Sequence, residues 1–237
     1  MTTTASQEAF LQAFHAERPA VTAEAFGRGR APDGRSSYEL LCDRVAGSSR
    51  VLDLGCGDGS FDACVSHMAL MLMGEIEQVA AEVARVLCPG GVLACVVGGG
   101  AVGGESYERF LGLLRRTIAE APAARRIPAL GDRRTRSRDG LDEVLGPAGF
   151  GPVSWETVPI DLSGPVEEVW AAVSGLYDLG PLDGGTVERL REAFVAEVRA
   201  MTTPEGIVPC AFTIHLATTR LGGTLPYSPS GSKSSTK

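Results

Sequence analysis

Apolar residues recur along this chain in two rhythms, and the rhythms define its elements. Ser6 to Glu17 carries Phe10, Leu11 and Phe14 on one helical face. Ser36-Ser37-Tyr38-Glu39 has the form of a capping box that opens a second helix, and Gly47 stops it. Val51 to Leu54 and Phe61 to Val65 are short apolar runs of strand type. Glu75 to Leu87 repeats Ile76, Val79, Ala80, Val83 and Val86 at three- and four-residue spacing, which predicts an amphipathic helix. Cys88-Pro89-Gly90-Gly91 reads as a turn. Val92 to Val97 is apolar without alternation, as in a strand covered on both faces. Helices are predicted at Glu105 to Ala119, from the Ser137 cap to Gly146, at Val166 to Leu179 and at Thr186 to Met201. Strands are predicted at Val153 to Ile160 and Ile207 to Thr219, with Pro209 near the start of the last one.

Alternating strands and helices predict an α/β fold: a Rossmann-like, mostly parallel sheet with an antiparallel edge strand, helices on both faces, and helical cap elements at either end. The divisions are an N-terminal helical lid over 1–49, a main domain over 50–221 with a helical insert at 165–201, and a disordered tail over 222–237.

A hydrophobic content of 44% over 237 residues is enough for a substantial core. The net charge of −7 opposes nucleic acid as the main partner, because backbone binding needs a broad basic face. The arginines at 133, 134, 136 and 138 read as a solvated connector. Six cysteines without a CxxC pair, among them Cys64 and Cys95 inside apolar runs, read as reduced, mostly buried thiols of a cytoplasmic protein. With three histidines, no metal site is expected. The first residues lack the pattern of a signal peptide, and no apolar run reaches the ~18 residues of a membrane span.

The stretch Val51-Leu-Asp-Leu-Gly-Cys-Gly-Asp-Gly59 ends a strand in closely spaced glycines, which lets a ligand approach the backbone. It resembles the first motif of class I S-adenosylmethionine-dependent methyltransferases of the small-molecule, type 11-like kind. The run from Ser60 through Met73, and the helix and strand from Val83 to Val97, resemble the fourth strand, fourth helix and fifth strand of that family. The resemblance covers Arg50 to Val97, and more weakly Gly140 to Phe150 with the strand after it. It implies S-adenosylmethionine as cofactor, with S-adenosylhomocysteine as product. Gly55, Cys56 and Gly57 would pass under the methionine and ribose, and Asp53 would help to hold that end. Ser66, His67 and Met68 would border the methyl group.

One part of the pattern is missing. A parallel crossover takes a dozen or more residues, and a ribose-binding acid is expected ~20 residues beyond the glycine loop. Only Ser60 separates Gly59 from Phe61. Part of the first strand–helix–strand crossover is therefore absent from the sequence. Either a segment between Gly57 and Phe61 is missing, by deletion or omission, or the strands have re-formed as a hairpin on Asp58-Gly59. The missing segment is the preferred reading.

Methyl transfer from a sulfonium is an in-line displacement that chiefly needs alignment and a dry site, with a base for some acceptors. His67 is the candidate base. Tyr38 and Arg35 could reach the cofactor carboxylate from the lid. Met71, His15, Trp170 and Tyr177, with Trp155, could line an acceptor pocket, while His215 reads as core. The reading is methyl transfer to a small molecule, with a natural product or secondary metabolite in view and the pairing of two copies left open. The alternative is a methyltransferase-shaped protein that does not transfer methyl, acting as a cyclase, an isomerase or a binding partner.

Overall fold

The structure, a computed structural model, describes residues 4–18, 26–53, 61–103, 105–122, 130–175 and 179–222. Among them five strands form one sheet: β1 Val51–Asp53, β2 Phe61–His67, β3 Leu87–Ala101, β4 Ser154–Asp161 and β5 Ala211–Arg220. Their order is β1-β2-β3-β5-β4. β1 pairs parallel with β2, and β2 pairs parallel with β3. β5 runs antiparallel to both β3 and β4, so the other four strands point the same way. The antiparallel strand is thus interior, and β4 is the rim. The main helices are α1 Thr4–Glu17, α2 Ser37–Arg44, α3 Ile76–Val86, α4 Ser106–Glu120, α5 Arg138–Leu145, α6 Val166–Val173 and α7 Gly184–Val198.

Strand alternation sends side chains to two cores. Cys64, Leu93, Cys95 and Ala217 face α3 and α5. Ala63, Ala94, Val96, Ile214 and Leu216 face the other way, against Leu40 and Leu41 of α2. Val96 and Val97 are both fully buried, which is why β3 shows no polar alternation. Phe110, Trp170 and Phe194 tie α4, α6 and α7 into a third apolar cluster.

Several boundaries differ from the sequence reading. β2 continues beyond Val65 to His67. Residues 88–91 do not end the strand. They lie inside β3 as an irregularity, Leu87 facing Phe61 and Val92 facing Ala63, with Gly90 at a φ of 80°. Glycine tolerates that conformation without Cβ strain. α6 stops at Val173, where Ser174 caps it. The last strand begins at Ala211, because Pro209 has no N–H to donate and Val208 makes only an isolated bridge to Gly164. The capping box at Ser36 and Glu39 forms as expected.

β1 and β2 run parallel, not as a hairpin. The link between them, residues 54–60, lies outside the described residues. β1 is the outermost strand among those described, and Val51 is 43% exposed there.

Met68 takes a left-handed φ of 56° directly after β2 and starts a turn over Leu70–Leu72. Gly131 braces that turn: its φ is 64°, and a Cβ there would lie 2.2 Å from the Met71 carbonyl oxygen. Gly131→Ala is expected to cost about 2 kcal/mol or more in chemical denaturation, from backbone strain and the clash together.

Candidate functional site

Because β1 to β4 share a direction, their C-terminal ends lie along one edge of the sheet. That edge is where ligands bind in open α/β sheets. β1 ends in Asp53, aligned with Val65 of β2, and β2 ends in His67, aligned with Val96 of β3. The backbone N–H of Met68 donates to the Val96 carbonyl at 2.9 Å, which pins the turn that follows.

His67 is enclosed by the start of the N-terminal elements. The Tyr38 ring stacks on the imidazole at 3.9 Å between centroids and 14° between planes. Phe26 meets it edge-on at 5.5 Å. The buried Ser37 hydroxyl lies 2.8 Å from His67 Nε2. Burial pulls the imidazole pKa down to about 4, so the ring is uncharged at neutral pH. Tyr38 is raised above its usual value, first by burial and then by the charge of Asp53. Asp53 ends the neighbouring strand, aligned with Val65, two residues before His67.

The ring wall extends past His67. Phe26 packs on Phe212 at 5.8 Å, and Phe212 on Tyr107 at 5.9 Å. Met68 and Met71 join this side of the core, and Met71 Sδ accepts the N–H of Gly98 at 3.3 Å. Beyond the wall, at the start of α4, Glu105 Oε2 and the Ser106 hydroxyl are buried without a hydrogen-bond partner. Burial pushes the Cys210 thiol up to about 11, and its interaction with the Ser106 hydroxyl works against that rise. Glu105 is raised above the usual carboxylate range by burial first and by Asp161, the last residue of β4, second.

The structure brings together Tyr38, Asp53, His67, Met68 and Met71 from the sequence-derived set. Ser66 is buried nearby, but its hydroxyl accepts the Leu70 N–H at 3.0 Å and shapes the turn. Arg35 is bound to Asp33 and Asp43; its hydrogen bond to Asp33 first, and the two carboxylate charges after it, raise its pKa further, and so it braces the turn before α2. His15 is exposed on α1 with its ring edge on Phe14. Trp170 is half-buried against Phe110 and Phe194, which is a packing role. Gly55, Cys56, Gly57 and Tyr177 lie outside the described residues. His215 is half-buried, stacked on Trp155 at 4.7 Å and bonded to Thr157 at 2.9 Å. A cavity of about 480 Å³ opens between α4 and α7, beside Leu113, Thr117, Arg189 and Leu190; none of the candidate residues lines it.

Sequence reasoning missed Ser37, Phe26, Tyr107, Phe212 and Glu105. Ser37 was hidden beside the capping serine, and Phe26 sits in a loop without periodicity. Phe212 has the alternation of any core strand residue. Glu105 carried one signal, an acidic residue at the foot of a helix that follows the glycine-rich end of β3.

The methyltransferase domain family matches residues 35–95, about a quarter of the chain. No curated protein matches. Among solved structures, the chain is similar to a protein from Anaeromyxobacter dehalogenans assigned as a type II methyltransferase. The identity is 18%, the TM-score 0.43, and the match covers 71% of this chain and 68% of that one. A protein from Bacillus halodurans assigned as a methyltransferase shows 13% identity and a TM-score of 0.38, with 71% and 73% covered. The [4+2]-cyclase SpnF shows 19% identity and a TM-score of 0.36, with 72% of this chain and 54% of the cyclase covered. Likenesses at these TM-scores carry no functional argument.

The depressed His67 pKa makes stability depend on pH. In the unfolded chain the imidazole protonates near ~6.5, whereas in the fold it resists protonation down to about 4. Above ~6.5 both states are neutral and nothing is lost. As pH falls from ~6.5 towards 4 the unfolded state gains a proton that the folded state refuses, so stability falls, by roughly 3 kcal/mol at most. Urea unfolding at a series of pH values should show this loss, and His67→Gln should flatten it.

Proposed function

We propose that this chain, a member of the class I S-adenosylmethionine-dependent methyltransferase family through its residues 35–95, transfers a methyl group to a small-molecule acceptor. The observation that supports this reading is the parallel alignment of β1 with β2, which sets Asp53 beside the Tyr38–His67 stack at the sheet edge.

The residues present fit the cofactor. Asp53 is an exposed carboxylate at a strand end, suited to the polar end of a nucleoside or amino acid. The ring faces and Met68 suit an apolar, positively charged sulfonium region. S-adenosylmethionine supplies an activated methyl group when bound. Asp53 and Tyr38 hold the cofactor side, while Met68 and Met71 form an adaptable apolar wall that excludes water. His67 is the proposed general base. Its neutrality serves twice: the ring can accept a proton, and it adds no positive charge beside a sulfonium. Its low basicity suits an acceptor that sheds its proton readily. A natural product or secondary metabolite remains the proposed acceptor class, the cytoplasm the proposed compartment, and no helix among the described residues is long and apolar enough to cross a membrane.

A second reading has its own observation. β1 is the outermost described strand and exposes Val51, so the sheet has no described strand on the side where the family carries its ribose acid. This favours a missing segment between Gly57 and Phe61, and with it a protein that keeps the shape but acts as a cyclase, an isomerase or a binding partner.

Isothermal calorimetry separates the readings. Methyl transfer requires saturable binding of S-adenosylmethionine or S-adenosylhomocysteine, and Asp53→Ala should weaken it by about tenfold or more, the scale of one charge-assisted hydrogen bond. Absence of binding to the unaltered chain would defeat the transfer reading.

A further inference from the structure

Ser37 is a buried polar residue that neither the helix cap nor methyl-donor binding employs. It is the first residue of α2 and is 1% exposed. Its neighbours carry the cap: the Ser36 hydroxyl accepts the Glu39 N–H, and Glu39 Oε2 accepts from the Ser36 N–H and hydroxyl. Among the described residues the Ser37 hydroxyl has one hydrogen-bond partner, Nε2 of His67 at 2.8 Å.

Donor and acceptor counting decides which of the two gives the proton. A hydroxyl has one proton to place, and a neutral imidazole has one N–H and one lone pair. If Nε2 carried the hydrogen, the serine's own proton would sit in the interior with no acceptor among the described residues, which the fold penalises. If the serine donates, its proton is satisfied and the ring's hydrogen lies on Nδ1. Turning the ring over would set a carbon against the hydroxyl, and Tyr38, stacked at 3.9 Å, and Phe26, edge-on at 5.5 Å, hold it in place. Burial keeps the ring from carrying both hydrogens at neutral pH. Nδ1 has no hydrogen-bond partner among the described residues, so it is the ring nitrogen left for a ligand.

We infer that Ser37 is a positioning residue: it donates to Nε2, holds His67 in the Nδ1–H form, and makes the ring present a hydrogen-bond donor rather than a lone pair to a bound ligand. Only the consequence for the acceptor rests on the methyltransferase reading. In that reading the acceptor carries a carbonyl, carboxylate or phenolate oxygen that faces Nδ1–H. A proton that the acceptor sheds enters the ring at Nε2 by way of the serine. Ser37 Oγ takes it as the serine's own proton moves to Nε2, which leaves an imidazolium and an unchanged serine; the imidazolium then returns one proton to solvent.

The test uses the whole chain, labelled with nitrogen-15, without cofactor at pH 8. Two-bond proton–nitrogen correlation spectra report which ring nitrogen of each histidine carries the hydrogen, and the spectrum of His67→Gln identifies the His67 signals. An imidazole free in water prefers the Nε2–H form. In the parent, His67 should favour Nδ1–H by about tenfold, the scale of one hydrogen bond. Ser37→Ala should remove that excess and bring up the Nε2–H form. Ser37→Thr, which keeps the hydroxyl, should retain the parental pattern; a serine that only packs would leave all three spectra alike. Circular dichroism and thermal melting of the same samples confirm folding, and if Ser37→Ala fails to fold, the parent spectrum still decides. An Nε2–H ring in the parent, or an Nδ1–H excess that persists in folded Ser37→Ala, overturns the inference. Calorimetric titration with S-adenosylhomocysteine separates the two readings. An Nδ1–H ring in a chain that does not bind it defeats methyl transfer alone, and an Nε2–H ring in a chain that binds it defeats the serine's role alone.

Discussion

The parallel run of β1, β2 and β3 is the constraint from which the rest follows. A parallel strand covered on both faces has no room for polar side chains along its length. Ala63, Cys64, Ala94, Cys95 and Val96 accordingly fill the middle of the sheet with small or apolar groups. Polar chemistry is displaced to the strand ends, where Asp53, His67 and Asp161 emerge on one edge. The site is thus a product of core packing as much as of its own residues. A slip of one residue in β2 would carry His67 to the opposite face and separate it from Ser37 and Tyr38.

The N-terminal segment completes the edge from outside the sheet. Ser36 and Glu39 fix the entry of α2 through reciprocal bonds to backbone and side chain. That entry angle lays Ser37 and Tyr38 over the end of β2. Arg35, clasped by Asp33 and Asp43, stiffens the approach. The N-terminal segment therefore meets His67 through one hydroxyl and one ring face, and among the described residues no carboxylate is hydrogen-bonded to the imidazole.

Much of this was legible in the residues because local signals agreed with the global arrangement. The capping box and the amphipathic α3 have local physical causes and formed where expected, while the unalternating β3 extends beyond the expected 92–97 at both ends. Asp53, His67, Met68 and Met71 stand out in the sequence because they end or follow apolar runs, which is where a covered sheet releases polar groups. What stayed hidden depended on contacts between distant positions. Phe26 and Phe212 meet across the fold, and nothing in either's sequence neighbours marks that meeting. Trp170 shows the complementary limit: helical spacing is the same whether a ring faces a core or a pocket, and here Phe110 and Phe194 pack against it. The irregularity at residues 88–91 looked like a turn because Pro-Gly-Gly has turn chemistry, yet the strand carries on through it.

Charge along the sheet edge links the two halves of the site. Asp53 stands at one end, Glu105 and Asp161 at the other, with neutral aromatic rings between them. The suppressed charge of His67 follows from its enclosure: Tyr38, Phe26 and Ser37 keep water from the ring, and the fold gives up stability in acid to hold it there.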